Sequence, residues 1–354
     1  MNSSLIKVYT FLFLVLLQSF IPASAQSSKE SSALAAIAGY EGVDRAQRLA
    51  AGAKKEGELN LYTSLTVEDM AALTRAFEKK YGIKVKTWRA SSEKVVQRII
   101  AEAQAGRFDF DIVENNGPQL ESLHREQLLQ PVRSPYFNDL IPQAVLPHKA
   151  WVGTRLNVFV HAYNTNKVKK EELPKTYQDL LDPKWKGRLG IEAEDLDWFA
   201  ALLKELGEDK GIKLFRGIVA TNGLSVRKGH TLLTNLVASG EVPLALTVFN
   251  FTAEQVKRKG APLNWFVMPP AIARANGLAV SKQAPHPYAA VLFYDFMISD
   301  GQEILAKRDF TITSQKIQTP FSKTPLTLID PAIILDENQK WSRLYSEIIT
   351  KQPK

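Results

Sequence analysis

The 354-residue sequence contains no cysteine. That absence excludes disulfides, zinc sites built on thiolates and an N-terminal lipid anchor on a cysteine. The sequence also lacks the glycine-rich phosphate loops, the Gly-x-Ser-x-Gly nucleophile elbow and the His-Glu-x-x-His pair of metalloproteases. We therefore expect a protein that is not an enzyme and has no cofactor. A secreted enzyme whose catalytic residues meet only in space is the remaining alternative of that class.

The sequence also lacks long runs of residues with one sign of charge. The formal net charge is +8, and the basic runs such as KKEGE and KVKKEE mix both signs. Mixed runs of this kind are typical of a solvated surface rather than of a nucleic-acid patch. We expect no nucleic-acid partner.

One long apolar run lies near the N-terminus, from Val8 to Ile21. Lys7 precedes the run and Ala23-Ser24-Ala25 follows it, which is the pattern of a cleavable secretory signal. The run is shorter than the ~20 residues that a membrane-spanning helix needs. We expect residues 1–25 to be a signal peptide and the mature protein to act in the periplasm.

After a disordered leader over residues 26–39, strands and helices alternate with short connections. Leu59–Ser64 alternates apolar and polar residues as a strand does, and a helix capped by Thr66 and ended by Gly82 follows. The pattern repeats twice through residue 129. Such alternation predicts a parallel sheet covered by helices, with a ligand crevice beyond the carboxyl ends of the strands.

The polar turns after these strands are therefore candidate ligand contacts. Hydroxyls and N–H groups at helix N-termini suit anions and carbonyl-type oxygens, although ordinary helix capping explains the same residues. The candidates are Ser64, Arg89, Ser91, Ser92, Glu114 and Asn115.

Two extended runs, 151–164 and 268–281, cross between this unit and a second α/β unit. The crossings predict a hinged clamshell with lobe 1 at 40–150 plus 278–354 and lobe 2 at 151–277. Arg155 and Asn157 lie on the first crossing, and Arg274 and Asn276 lie on the second. These four side chains are interpreted as cleft contacts or as polar hinge stabilisers.

Lobe 2 contributes a second set of candidates. Asp195 and Asp197 precede a helix, where they either cap it or contact a ligand. Trp198 beside them can stack on a ligand, and Arg227 can bind a carboxylate through its two-pronged guanidinium group.

Several segments together resemble the extracellular solute-binding proteins of ABC transporters, of the iron(III)/thiamine type. They are KKEGELNLYTSL, FEKKYGIKV, FDIVENN and above all LPKTYQDLLDPKWKGRLGIE. The resemblance implies a two-lobed α/β fold of the type II periplasmic-binding class, with mostly parallel sheets flanked by helices and joined by two crossing strands. It also implies a monomer that captures a small-molecule solute by hinge closure and delivers it to a membrane permease.

Iron-binding members of that family hold Fe(III) with a pair of tyrosines. The matching positions here are Phe249-Asn250-Phe251, which offer no phenol oxygen. An apolar wall with one amide favours a small organic solute. Capture of a ferric or other metal ion is the alternative within the family.

Processing is the first testable expectation. Small residues at Ala23 and Ala25 suit signal peptidase, so the mature chain should begin at Gln26. Mass analysis of protein isolated from the periplasm checks this, and an intact Met1 would contradict it.

Overall fold

The computed structural model describes residues 32–351, so the predicted signal peptide lies outside the described residues. The first element is a helix over 32–39. Leu34 and Ala38 lie four residues apart on one face of this helix and are buried in the core. The expectation of a disordered leader up to residue 39 is therefore wrong for residues 32–39, because this short apolar face packs on the domain.

The α-helices, in chain order, are α1 (32–39), α2 (Arg45–Glu56), α3 (Val67–Tyr81), α4 (Ser92–Gln104), α5 (Gly117–Arg125), α6 (Leu196–Leu206), α7 (Glu208–Asn222), α8 (His230–Ser239), α9 (Asn250–Arg258), α10 (Pro287–Met297), α11 (Asp300–Lys307), α12 (Pro331–Asp336) and α13 (Asn338–Tyr345). The strands are β1 (Glu58–Thr63), β2 (Lys84–Arg89), β3 (Ile112–Asn116), β4 (Leu129–Gln130), β5 (Val152–Asn164), β6 (Leu189–Glu192), β7 (Ser225–Arg227), β8 (Leu244–Phe249), β9 (Leu263–Phe266), β10 (Ile272–Ser281), β11 (Thr311–Ile312) and β12 (Thr327–Leu328). Within residues 32–351, no helix has the length and apolar character needed to cross a membrane.

The first three strands form the predicted parallel unit. β1 pairs in parallel with β2 on one side and with β3 on the other. Thr66 caps α3 by accepting the N–H of Asp69, and Gly82 ends the helix in a left-handed conformation with φ 73°. Because the three strands run parallel, their carboxyl ends lie at one edge of the sheet.

β5 and β10 are the two linking strands, and they pair with each other in antiparallel fashion. β10 also pairs with β3, while β5 also pairs with β8, so the strand order β2-β1-β3-β10-β5-β8-β6-β7 runs through both halves. All thirteen residues of β5 are buried. The crossing runs seen in the sequence are therefore adjacent hydrogen-bonded strands.

The division into two lobes stays a prediction, and the C-terminal helices show a contact that it did not anticipate. α12 packs on α5, where Arg125 and Asp336 form an ion pair of 2.6 Å. α13 packs on α6, where Lys204 and Glu337 lie 3.1 Å apart. The segment 331–345 thus contacts elements from both proposed lobes.

Two predicted helix ends also differ from the structure. α5 ends at Arg125 rather than near 129, because Leu129–Gln130 pairs with β10 as β4. The helical pattern of residues 288–307 predicts one helix, which the structure divides into α10 and α11 at Ile298 and Ser299.

A buried ion pair fixes α2 to α10. The Nε of Arg45 lies 2.8 Å from the Oδ2 of Asp295, and both side chains are less than 10% exposed. Ser134 donates a further hydrogen bond of 2.8 Å to this carboxylate. Burial raises the pKa of Asp295, and the hydrogen bond and charge of Arg45 act against that rise. The pair is a strong constraint because removal of either partner leaves a buried unpaired charge.

We expect Asp295→Ala to lower the free energy of unfolding by about 3–5 kcal/mol, measured by urea denaturation, since Arg45 then stays buried and unpaired. Asp300→Ala, which breaks the exposed ion pair with Lys80, should cost at most about 1 kcal/mol. The double variant Arg45→Met/Asp295→Leu should recover most of the loss. Equal costs for Asp295→Ala and Asp300→Ala would contradict this account.

Candidate functional site

A cavity of about 540 Å³ lies at the carboxyl ends of the first strands and faces the linking strands, β6, α6, α8 and α9. Its lining combines hydroxyl, amide, charged and aromatic side chains from both halves of the chain. The residues used below are Ser64, Arg89, Ser91, Ser92, Asn116, Arg155, Asn157, Glu192, Asp195, Asp197, His230, Phe249, Phe251, Arg274, Asn276, Ile334, Leu335, Asn338 and Ser342.

One wall comes from the turns after β1, β2 and β3. Ser64, Arg89, Ser91 and Ser92 all line it, as the sequence predicted. Ser91 is the N-cap residue of α4, and its side chain makes no capping hydrogen bond. Ser91 and Ser92 line the cavity, so the N-terminus of α4 lies at this wall without a capping bond from Ser91.

The floor is built by the linking strands. Arg155 and Asn157 are two residues apart on β5, and Arg274 and Asn276 are two residues apart on β10, so each pair shares one face of the sheet. In the antiparallel register, Arg274 lies opposite Asn157 and Asn276 lies opposite Arg155. All four line the cavity, which supports the cleft-contact interpretation.

Both floor arginines are held by carboxylates and aromatic rings. Arg155 Nη1 lies 2.7 Å from Glu114 Oε1, and Arg274 Nη1 donates to Asp197 Oδ2 at 2.9 Å. The Arg274 guanidinium also lies 5.3 Å from the centre of the Phe249 ring. The Nε atoms of both arginines are buried without a hydrogen-bond partner. Each arginine therefore keeps one buried donor that no protein acceptor satisfies.

Glu192, Asp195 and His230 converge on the opposite wall. One ligand atom from each lies within 4.8 Å of the others. His230 Nε2 is 3.1 Å from Asp195 Oδ1, while His230 Nδ1 and Asp195 Oδ2 are buried without hydrogen-bond partners. Glu192 accepts the backbone N–H groups of Gly229 and Glu194, which fixes its carboxylate. This cluster has the residue types of a metal site.

The cluster also shifts its own pKa values. Burial, with the charge of Asp195, raises the pKa of Glu192. Burial favours the neutral ring of His230, but Asp195 and Glu192 outweigh it and raise the pKa of His230 above its usual 6.5. The raised pKa of His230 favours its protonated ring, and a bound cation would displace that proton.

The aromatic side of the cavity is a stack of three phenylalanines. Phe249 ends β8, and Phe251 lies in the first turn of α9. The Phe249 and Phe251 rings stack at 5.8 Å, and Phe251 stacks on Phe310 at 4.2 Å. His230 lies against Phe249, with ring centres 3.8 Å apart. Both matching phenylalanines thus face the cavity and give it one apolar side.

Five of the predicted site residues lie outside the cavity lining. Asn115 donates to the backbone oxygen of Ser92, and Asn250 donates toward Thr311, so both support neighbouring segments. Glu114 lies behind Arg155, Trp198 is packed in the core among aromatic rings, and Arg227 pairs with Glu241. Whether any predicted residue contacts a ligand stays a prediction.

Sequence reasoning missed the role of His230 and of the C-terminal helices. His230 was one of five scattered histidines, and its partners Glu192 and Asp195 lie more than thirty positions earlier in the chain. Ile334, Leu335, Asn338 and Ser342 also line the cavity. The only local signal was the cluster of acidic residues that begins at Glu192.

Comparisons with known proteins agree with this architecture. The family model of the bacterial extracellular solute-binding proteins matches residues 111–334. Iron uptake protein A1 of Synechocystis sp. is 28% identical over 273 residues, which are 72% of this chain and 75% of that protein.

Two solved structures share the fold across nearly their whole length. Iron-bound HitA from Pseudomonas aeruginosa has a TM-score of 0.73 and 26% identity, and the match covers 82% of this chain and 99% of HitA. AfuA from Actinobacillus pleuropneumoniae, solved with fructose-6-phosphate, has a TM-score of 0.72 and 25% identity, with 84% and 99% covered.

The predicted type II periplasmic-binding fold is confirmed, and so is the expectation that the chain is not an enzyme. The family model spans well over half of the sequence. This chain therefore belongs to the bacterial extracellular solute-binding proteins.

Proposed function

We propose that this chain captures ferric iron in the periplasm and delivers it, as a monomer, to the membrane permease of an ABC importer. The convergence of Glu192, Asp195 and His230 on the cavity wall carries the proposal. The similarity of this chain to iron uptake protein A1 of Synechocystis sp. and to iron-bound HitA supports it. From the sequence alone, a small organic solute is the favoured hypothesis and a ferric ion is the alternative.

The charge of the cavity favours a cation. Among its lining residues, three arginines stand against five carboxylates, so the formal balance is negative when His230 is neutral. Arg155 and Arg274 are already paired with carboxylates, which reduces their attraction for a free anion. A phosphate or sulfate would meet Asp195 and Glu192 directly, whereas a hard cation finds the oxygen ligands that it prefers.

The iron ligands would differ from a pair of tyrosines. Phe249 and Phe251 carry no oxygen, and the hydroxyl of Tyr345 donates to the backbone oxygen of Glu192. Two carboxylates and one imidazole leave coordination positions to water or to a small anion. Bound iron should therefore lack the reddish charge-transfer band of phenolate coordination.

A small organic solute is the second candidate, and two observations favour it. Phe249 and Phe251 stack along one side of the cavity and can pack a carbon skeleton. The guanidinium groups of Arg155 and Arg274 line the cavity and can bind a carboxylate or carbonyl oxygen of such a solute.

Calorimetry with ferric citrate tests the iron proposal. We expect one ferric ion per chain and an affinity at least about 100-fold weaker in Asp195→Asn, since loss of an inner ligand costs more than loss of an outer partner. Arg227→Gln is the matched control, because Arg227 lies close along the chain to His230 but outside the cavity. It should bind iron as the parent protein does.

Phe251→Ala separates the two candidates. It should leave iron binding unchanged and weaken an organic solute by removing part of the apolar wall. Absence of an iron signal in the parent protein, or equal binding by Asp195→Asn, would contradict the iron proposal.

Iron binding should weaken as the pH falls from about 8 to about 6, because protons compete with the ion for ligands. Because the pKa of His230 is raised above its usual 6.5, protons compete with iron for this ring at pH values of 6.5 and above. Titrations at constant citrate concentration measure the effect. His230→Gln removes the titrating ring, so its affinity should depend less steeply on pH. An unchanged slope would exclude His230 as a ligand.

A further inference from the structure

A second cluster of metal-binding residue types lies outside the cavity, on α5 and the loop before β5. One ligand atom each from Glu121, His124 and His148 lies within 4.8 Å of the others. Glu121 and His124 are three residues apart and share one face of α5, as the Glu-x-x-His pairs of metal-binding helical bundles do. His148 comes from the loop that leads into the linking strand β5.

The three side chains are held in place by their own contacts. The His124 and His148 rings stack with centres 3.9 Å apart and planes 20° apart. His148 Nε2 lies 3.3 Å from Glu121 Oε2, and the indole N–H of Trp151 donates to the same oxygen at 3.1 Å. Glu121 is nearly buried, whereas the His148 side chain keeps 24% of its exposure. The buried contact of Glu121 with Trp151 therefore fixes the cluster, while the partly exposed His148 leaves it accessible to solvent.

We infer that Glu121, His124 and His148 form a site for a divalent transition metal of the Zn²⁺ class, independent of the iron proposed for the cavity. Two imidazoles and one carboxylate are the protein ligands of many zinc sites, with water in the fourth position. Tetrahedral ligands about 2.0–2.1 Å from zinc are roughly 3.3 Å apart, so ligand atoms that now lie within 4.8 Å must approach by up to about 1.5 Å. The stacked His124 and His148 rings must also turn out of parallel, because the nitrogen lone pairs lie in the ring planes.

Metal binding would replace contacts that His148 makes with Ala150 and Glu121. The backbone N–H of Ala150 donates to His148 Nδ1 at 3.0 Å, so the ring proton lies on Nε2 toward Glu121. A metal at Nε2 displaces that proton, the ring is then protonated at Nδ1, and the bond to Ala150 is lost. Burial and the neighbouring His124 lower the pKa of His148, which keeps the ring uncharged for binding. Loss of an outer partner costs about 10–100-fold in affinity, so we expect weaker binding than at a zinc site whose histidines keep their outer partners.

Occupancy would connect α5 to the segment that enters the hinge. Trp151, which orients Glu121, directly precedes β5, and β5 supplies Arg155 and Asn157 to the cavity floor. A metal bridge between α5 and His148 should therefore stabilise the start of this linking strand. Thermal stability gives a second readout besides binding.

The test is a ZnCl₂ titration of the untagged protein in the Asp195→Asn/His230→Gln background, which removes the cavity cluster. We expect one Zn²⁺ per chain by calorimetry and a rise in Tm on addition of zinc. Adding His148→Gln or His124→Gln should weaken zinc binding by at least about tenfold and abolish the rise in Tm. Circular dichroism without zinc checks that each variant is folded.

Gln318→His, at an exposed position outside the cluster, serves as the added-histidine control. It should leave the zinc stoichiometry and affinity unchanged. Zinc binding that persists unweakened in both the His124→Gln and His148→Gln variants would overturn the inference. Absence of zinc binding in the Asp195→Asn/His230→Gln background would also overturn it.

Discussion

The antiparallel pairing of β5 with β10 is the constraint on which the site depends. These strands join the two halves of the sheet, and their register sets Arg274 opposite Asn157 and Asn276 opposite Arg155. A slip of β10 by one residue against β5 would turn Arg274 and Asn276 to the face opposite Arg155 and Asn157. The cavity floor is therefore specified by strand pairing rather than by the loops around it.

The two arginines of the cavity floor are each held by a carboxylate from a neighbouring element. Arg155 is held by Glu114 in β3, and Arg274 is held by Asp197 in the first turn of α6. Arg155 thus joins β5 to β3, and Arg274 joins β10 to α6. Because these ion pairs are buried, they select one arrangement of the walls more than they add stability. The C-terminal helices add a further contact through Tyr345, whose hydroxyl binds the backbone of Glu192.

Local signals predicted much of the fold. The Thr66 cap, the Gly82 stop and the strand at Leu59–Ser64 depend on neighbours in the chain, and the structure has all three, with the strand at Glu58–Thr63. Its last three residues are all buried, so the alternation does not extend to its end. The turns with Ser64 and Ser91 also line the cavity as expected. The site itself depends on contacts between distant segments. Nothing near His230 in the sequence indicates that its ring meets Asp195, and Phe251 gives no local sign of which way it faces.

We propose that the cavity holds a hard cation through Asp195 and His230. Native mass spectrometry of freshly purified protein tests it most directly, because a tightly bound solute can survive purification. The account predicts a mass increase of one ferric ion, with or without a small anion, in the parent protein and its absence in Asp195→Asn/His230→Gln. An organic molecule without iron, retained equally by the parent protein and the double variant, would contradict it.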